Sequence, residues 1–588
     1  MKQKRKLKNK CRIVGHILDA QTKKKIPARV TVKAEGEIKT SEDSRIYEGN
    51  RFYAKGKFWI ECSPGKTEIE ISHGFDYIPI KKTIRAIAGK TIVLRFLLKK
   101  WIDMKALGWF CGDIHLHIHH NGISGLKKPP DPEFATLVCR AEGLDYAVEQ
   151  GSIDSVQSSR DKFPHSIIQI SEEEQYPLNG HYLKLKDVRV VTHPFGCIPA
   201  FHWMTAIKVY FDVVLGRYPQ ALDVFCYNKD AEQLIYFTLL NLGARISATA
   251  STDACLERRE MGPVGRQRVY THTSKFSYEE IIEGLKKGRN FVTDGPVFPI
   301  FTIDGAMAGE TLIPESGRVH TAKIQIFALN RIKRVEIIRN GNVIKEFKPL
   351  VKQKHYTLRL KYEFRERNSC WYAVRAVDEQ GRSALTNPVY FENPVREEKF
   401  KYCLMCCLGN FTSDLHLEKK FNLHIACAIG NGIIKKVFLF KDGIPRQEFP
   451  LSVNTGAKPA RGSFNPYLFT HPAGFNPVYF EACYPLENPG YYHVQIETSG
   501  GTLLSQPFLY DTSVPNSYQI TYLRTGDSTT SLEIRGWCED IPLSEIGRNP
   551  DHICWFNKDR AWEIRANFSG VEHKLQQGTD LSAFFTDL

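Results

Sequence analysis

No stretch of the 588 residues is apolar and uncharged for long enough to cross a bilayer as a helix, which excludes a membrane span of that kind. A secretory signal is lacking as well. Lys2, Lys4, Arg5, Lys6, Lys8 and Lys10 lead directly into the strand-like Cys11-Arg12-Ile13-Val14-Gly15-His16-Ile17 instead of an apolar segment ending in small residues, so the expected compartment is the cytoplasm. Basic residues are plentiful, with a net charge of +15, but they are not interleaved with aromatics and form no nucleic-acid motif. Specific nucleic-acid binding is therefore not expected, and the basic start reads as a solvated tail. Regular cysteine pairing is missing too. The fifteen cysteines are odd in number and sit mostly inside apolar runs such as Phe225-Cys226-Tyr227, as reduced buried thiols do. Cys403, Cys406 and Cys407 make one Cys-x-x-Cys with no second pair at zinc-ribbon spacing, and that segment reads as apolar strand.

What the chain does contain is apolar material for several cores: 42% of residues are hydrophobic and 12% aromatic, and the length allows about four domains. Up to residue 100, apolar and polar positions alternate between turn signals, as in Arg29-Val30-Thr31-Val32-Lys33 and Lys57-Phe58-Trp59-Ile60-Glu61, and the spacing predicts a β-sandwich over 11–100. Gly15-His16-Ile17-Leu18-Asp19-Ala20 followed by Ile26-Pro27-Ala28-Arg29-Val30 resembles the carboxypeptidase-regulatory-like sandwich found in front of hydrolases.

From Trp101 the pattern changes to strands alternating with helices, which predicts an α/β layer or barrel over 101–299. Asp131-Pro132-Glu133 caps one helix that ends at Gly143. A second runs from Asp230 to Gly243, and a third starts at the capping box Ser277-Tyr278-Glu279-Glu280 and stops at Gly288. Strands are expected at 144–148, 166–171, 188–192, 222–227 and 245–249. Beyond Pro299 the signals are strands only, including the Asn340-Gly341 turn, and predict an immunoglobulin-like sandwich over 300–395. Residues 401–588 are again mostly β and carry no motif with evident chemistry; Trp537 has no second ring at a spacing that suggests a glycan platform. The expected fold class is thus a multidomain chain, α/β plus all-β.

The most informative segment is Gly112-Asp113-Ile114-His115-Leu116-His117-Ile118-His119-His120. Two histidines one residue apart on a strand project from the same face and can share one metal ion. In an α/β barrel the carboxyl ends of successive strands converge on one site, so polar residues at those ends are the candidates. They are His115 and His117; Glu172, Glu173 and Glu174, with His181 behind Gly180; His193-Pro194; and Ser251-Thr252-Asp253.

Together with Gly288-Arg289-Asn290-Phe291-Val292-Thr293-Asp294-Gly295-Pro296, these motifs, in this order over residues 101 to 310, resemble the PHP-domain metallohydrolases, specifically the CehA/McbA-like group. The resemblance implies a distorted (β/α)7 barrel, here flanked by β-sandwich domains, whose ligands hold divalent zinc, manganese or iron. Carried over by position, it implies that His115 and His117 bind a first ion with Asp253. Glu174, seven residues before His181, would bridge to a second ion held by His181 and His193, with Glu173 in its place if the register slips by one. Two positions depart from the family pattern. Glu149-Gln150 stands where the family has Asp-His, and Asp253-Ala254-Cys255 where it often has Asp-x-His. Both fall on ligands of the third ion, so the resemblance implies two ions, with His119 or His120 open to complete the coordination. Cys255 is either a soft ligand or a small buried thiol. His165, His202 and His272 read as ordinary surface or core histidines.

Two ions bridged by a carboxylate lower the pKa of a shared water and polarise the oxygen being attacked. The expected function is hydrolysis of a phosphoester, carbamate or amide bond in a small-molecule or polymer-linked substrate. Asp253 and Glu174 would be the catalytic residues, with Asp253 or a histidine released from coordination moving the proton. The rival class is a binding protein for a ligand or glycan, built on a barrel that has lost catalysis; the flanking sandwiches and the two replaced positions favour it.

Overall fold

In the strand Cys11–Asp19 every second side chain is buried and those between are half-buried, the pattern of a strand with one face on a core. The computed structural model describes residues 9–586 except 37, 41–45, 49–50, 119–130, 152–167, 176–180, 196–208, 217–218, 257–263, 350–355, 395–398, 410–421, 452–477, 512–517, 540–559, 579 and 584. Over those residues the chain is mostly strand, arranged in sandwich-like sheets. Two five-stranded sheets at the start face each other across a core that includes Ile13, Val30, Phe52, Phe58, Ile71 and Phe96.

The strands that follow form one mixed sheet. We number them β1 (Trp109–His117), β2 (Tyr146–Gly151), β3 (Ile168–Gln175), β4 (His181–Leu185), β5 (Val188–Val191), β6 (Ala221–Phe225), β7 (Ser247–Ala250), β8 (Arg268–His272) and β9 (Asn290–Thr293). Their order is β7-β6-β5-β4-β3-β2-β1-β8-β9, and the sheet continues without a break into Ser383–Thr386, Cys370–Asp378, Ile332–Arg339 and Asn342–Phe347. Three helices of nine residues or more accompany it among the described residues: α1 (Pro132–Ala141), α2 (Lys229–Asn241) and α3 (Tyr278–Lys286). Their starts follow local chemistry. The Asp131 carboxylate accepts the Phe134 N–H and the Ser277 hydroxyl accepts the Glu280 N–H, as the sequence predicts; α2 begins one residue early because Asn228 caps it.

The sheet departs from a simple alternation of strand and helix, and a seven-fold (β/α) repeat is not what the described residues display. The strand expected at 166–171 runs on to Gln175, so Glu172, Glu173 and Glu174 lie inside β3 and not beyond its end. Strand β4 was not expected. Only Lys186 and Asp187 separate it from β5, and a connection that short permits only antiparallel pairing. The pairs β3/β4, β1/β8 and β8/β9 are antiparallel as well, whereas β1/β2, β2/β3, β5/β6 and β6/β7 are parallel.

The mixed sheet rolls until its outermost strand meets β9. The Asn290 Nδ2 donates to the Ala248 carbonyl at 2.6 Å, the Ser247 hydroxyl donates to Asn290 Oδ1 at 2.8 Å, and the Ala248 N–H donates to Asn387 Oδ1 at 2.7 Å. Two buried asparagines thus satisfy the backbone groups of an edge strand that would otherwise be left open. Rolling brings the carboxyl ends of β1, β5 and β7 to one side. The last third of the chain forms a seven-stranded and a five-stranded sheet over a further core, with Cys403, Cys406 and Cys407 buried in the strand Tyr402–Gly409 as the sequence predicts. No helix among the described residues is long and apolar enough to cross a membrane.

The first sandwich is fastened to α1 by a buried charge. Glu142, just past α1 and 4% exposed, takes the Arg29 guanidinium at 2.8 and 2.9 Å and the Tyr53 hydroxyl at 3.0 Å. Removing the carboxylate leaves a mostly buried guanidinium without its counterion, so Glu142→Ala should cost about 3 kcal/mol. Urea unfolding of the variant measures it; a loss under about 1 kcal/mol would mean that water replaces the carboxylate.

Candidate metal centre

Strand β1 is buried along nearly its whole length, and a bulge between Asp113 and Leu116 interrupts its alternation, so that Ile114 and Leu116 enter different cores while His115 and His117, two residues apart, share a side. His115 and His117 therefore project together, and their Nε2 atoms lie 3.1 Å apart. His193 follows β5, and Asp253 follows β7. Asp253 Oδ1 is 3.3 Å from His115 Nε2 and 3.2 Å from His117 Nε2, and its Oδ2 is 3.9 Å from His193 Nε2. The His115 and His193 rings stack with centroids 5.5 Å apart.

Four donors from three separate segments thus converge. For an ion with bonds of about 2.0–2.1 Å in tetrahedral geometry, neighbouring donor atoms stand about 3.3 Å apart. His115, His193 and Asp253 each offer an atom within 4.8 Å of the other two, so these three residues fit a divalent ion such as zinc, and His117 Nε2 stands beside them at 3.1 Å from His115 Nε2 and 3.2 Å from Asp253 Oδ1.

Two further observations point the same way. His193 and Asp253 have φ of 30° and 49°, in the left-handed region, although neither is glycine. Such conformations cost about 1–3 kcal/mol each and collect where a side chain must be aimed. The second observation concerns protons. The Gln150 carbonyl faces His117 Nδ1 at 3.2 Å; a carbonyl only accepts, so Nδ1 carries the proton and Nε2 presents its lone pair to the site. Burial alone would raise the Asp253 carboxyl, but the imidazoles of His115, His193 and His117 hold it well below the ordinary carboxylate range. It is an anion.

The remaining residues expected from the sequence divide clearly. Glu174 and His181 sit on adjacent antiparallel strands, where Glu174 pairs with Tyr182 and Gln175 with His181. The side chains of Glu173, Glu174 and His181, like His119 and His120 altogether, lie outside the described residues. Gln150 turns its side chain to the Ile114 carbonyl at 3.2 Å, so what it offers the centre is the backbone carbonyl. Cys255 is buried, in a two-residue strand whose ladder sets it opposite His117.

Sequence reasoning missed Tyr227, whose hydroxyl donates to Asp253 Oδ2 at 2.6 Å and leaves Oδ1 to the imidazoles of β1. It also passed over two buried carboxyls, Asp113 and Asp223, as binding partners of the 251–253 turn. The one available signal was an aspartate inside an otherwise apolar buried strand, which needs a partner to be tolerated there.

No protein-family model and no curated protein matches the chain. Among solved structures, the fibronectin(III)-like modules of Clostridium thermocellum CbhA are 17% identical, with 36% of this chain and 91% of that one covered at a TM-score of 0.12. Dimeric latent PorU from Porphyromonas gingivalis is 9% identical, with 37% of this chain and 20% of that one covered at a TM-score of 0.14. A chimeric titin Z1Z2 is 13% identical, with 36% and 94% covered at a TM-score of 0.12. At these scores the likenesses carry no argument about fold or chemistry.

Proposed function

We propose that the chain is a metal-dependent hydrolase of the PHP type, acting on a phosphoester, carbamate or amide bond of a small-molecule or polymer-linked substrate. The observation that carries the proposal is the set His115, His193 and Asp253, close enough to share one divalent ion, with His117 beside it and with His193 and Asp253 both in left-handed conformations. On this reading the rolled sheet from β7 to β9 is the family's distorted barrel. A second ion would be held by His181, with Glu174, or Glu173 in its place, as the bridging carboxylate, because His193 lies with His115 and Asp253 in the first set.

A bound divalent ion supplies Lewis acidity and brings the pKa of a water toward neutrality. The protein's part is to hold and to move protons. Gln150 keeps the proton of His117 on Nδ1, so the ring stays a neutral donor. Tyr227 holds its hydroxyl proton against Asp253 Oδ2, which fixes the carboxylate so that Oδ1 faces the imidazoles of His115 and His117. Burial of His115 and His193 excludes competing water from the donors.

The test is metal content of the purified chain together with a screen of aryl phosphates, carbamates, esters and amides in added manganese or zinc. At least one ion per chain with metal-dependent turnover is expected. Less than about one ion per chain, with no turnover after metal addition, would remove the enzyme reading and leave the binding-protein alternative.

A further inference from the structure

The residue before Asp253 and the one before that are each gripped by a different buried carboxyl group. Asp113, with no exposed surface, accepts the Thr252 N–H at 3.1 Å and the Thr252 hydroxyl, and also the Gly265 N–H at 2.9 Å and the His115 N–H at 3.3 Å. Asp223, also with no exposed surface, accepts the Ser251 hydroxyl at 2.5 Å and the Thr249 hydroxyl at 2.7 Å. On the far side, Ala254 and Cys255 pair with Leu116 and His117 of β1. The turn 251–253 is therefore fixed on three sides. Its centre, Asp253, is the residue forced to a φ of 49°.

Two features make this more than ordinary loop packing. Burying a carboxyl group is costly, and a turn can be closed with neutral groups or water at far less cost. Moreover, Asp113 lies on the same strand as His115 and His117 and binds the backbone of both His115 and Thr252. One side chain thus ties the segment carrying two donors to the segment carrying the third, which fixes their separation directly.

We propose that Asp113 and Asp223 are positioning residues of the metal centre, a two-carboxyl clamp that holds the Ser251-Thr252-Asp253 turn in its left-handed form so that the Asp253 carboxylate meets His115, His117 and His193. The proposal rests on the metal-centre reading. Neither clamp residue touches the ion; each acts through a neighbour, Asp113 through Thr252 and Asp223 through Ser251. Partners of this kind change metal affinity by about 10–100-fold when lost.

The experiment measures cobalt(II) and zinc(II) binding to the full chain, by competition with a chromogenic chelator and by the visible cobalt spectrum, alongside far-ultraviolet circular dichroism. Asp113→Asn and Asp223→Asn remove the clamp charges. Because either can disturb folding, Thr252→Val and Ser251→Ala remove only the hydroxyl contacts from the turn side, and Thr252→Ser restores the hydroxyl. The expected result is an affinity lower by about 10–100-fold and a shifted cobalt spectrum in Thr252→Val, an affinity near wild type in Thr252→Ser, and unchanged circular dichroism in both. Wild-type affinity and spectrum in Thr252→Val and Ser251→Ala would overturn the clamp while leaving the centre in place. Absence of cobalt and zinc binding by the wild-type chain would overturn the metal-centre reading, and the clamp with it.

Discussion

Asp253→Asn should leave the fold intact and weaken zinc binding by on the order of 100-fold or more. The substitution is chosen to separate charge from shape. Asparagine has nearly the size of aspartate and tolerates the left-handed conformation as well, so the φ of 49° brings no new strain. What disappears is the anion that sits 3.2–3.3 Å from two imidazoles and takes the Tyr227 hydroxyl on its other oxygen. Three neutral histidines alone bind a divalent ion, but without the charge that offsets its desolvation. Asp253→Ala makes a harsher comparison, because alanine at that φ adds about 1–2 kcal/mol of backbone strain to the loss of the ligand. Chelator competition on the two variants and the wild type reads the affinities, and urea unfolding of the metal-free proteins reads the strain. If Asp253→Asn binds zinc as tightly as the wild type, Asp253 is not a ligand and the donor set collapses to histidines.

How far the sequence foretold this centre depends on the range of the interactions involved. The caps at Asp131 and Ser277 were legible because each joins residues three apart. The shared direction of His115 and His117 was legible because strand parity is a local rule, and the strand did form. The β4–β5 hairpin was missed because its connection is Lys186-Asp187, with Lys186 at a φ of 58°, instead of the Asn-Gly or Gly-containing pair that normally signals such a turn. The closure of the sheet depends on Asn290 and Asn387, 97 positions apart, and the clamp on Asp113 and Thr252, 139 apart. Nothing in the neighbourhood of either residue in the chain announces its partner. The same holds for Tyr227, which reads as the end of an apolar strand until β7 brings Asp253 against it. Strand parity and motif resemblance pointed to His115, His117, His193 and Asp253, which the fold brings together, whereas Asp113, Asp223 and Tyr227, which hold Asp253 and its turn, emerge only from the fold.

Raising the pH from 5 to 8 should cost the metal-free chain the stability that the buried, protonated Glu232 carboxyl contributes, and Glu232→Gln should remove that part of the pH dependence. Glu232 lies in the first turn of α2 with no exposed surface, and its carboxyl accepts the N–H groups of Cys226, Tyr227 and Asn228 at 2.9, 3.1 and 3.3 Å. Burial pushes its pKa up to about 8; the three N–H groups oppose the shift and the nearby Asp223 carboxyl adds to it. The unfolded chain titrates this group near pH 4.3. Between about 4.3 and 8 the native state therefore holds a proton that the unfolded state has released, and stability falls as pH rises. The contribution is complete below the unfolded value and is lost as pH passes through about 8. Its slope is about 1.4 kcal/mol per pH unit, on the order of 5 kcal/mol in all. Asp223 and Asp113, raised chiefly by burial to about 7 and about 6, act with the same sign at the lower end of the window. Glutamine cannot ionise, so the variant should track a shallower line. It also turns an amide N–H toward a backbone N–H, so it should be the less stable protein at pH 5 by about 1–3 kcal/mol and regain ground toward pH 8. Urea midpoints of both proteins at pH 5, 6.5 and 8, in chelator, give the two slopes. Parallel slopes would mean that Glu232 is already ionised at pH 5, with three backbone N–H groups outweighing the cost of burying the charge.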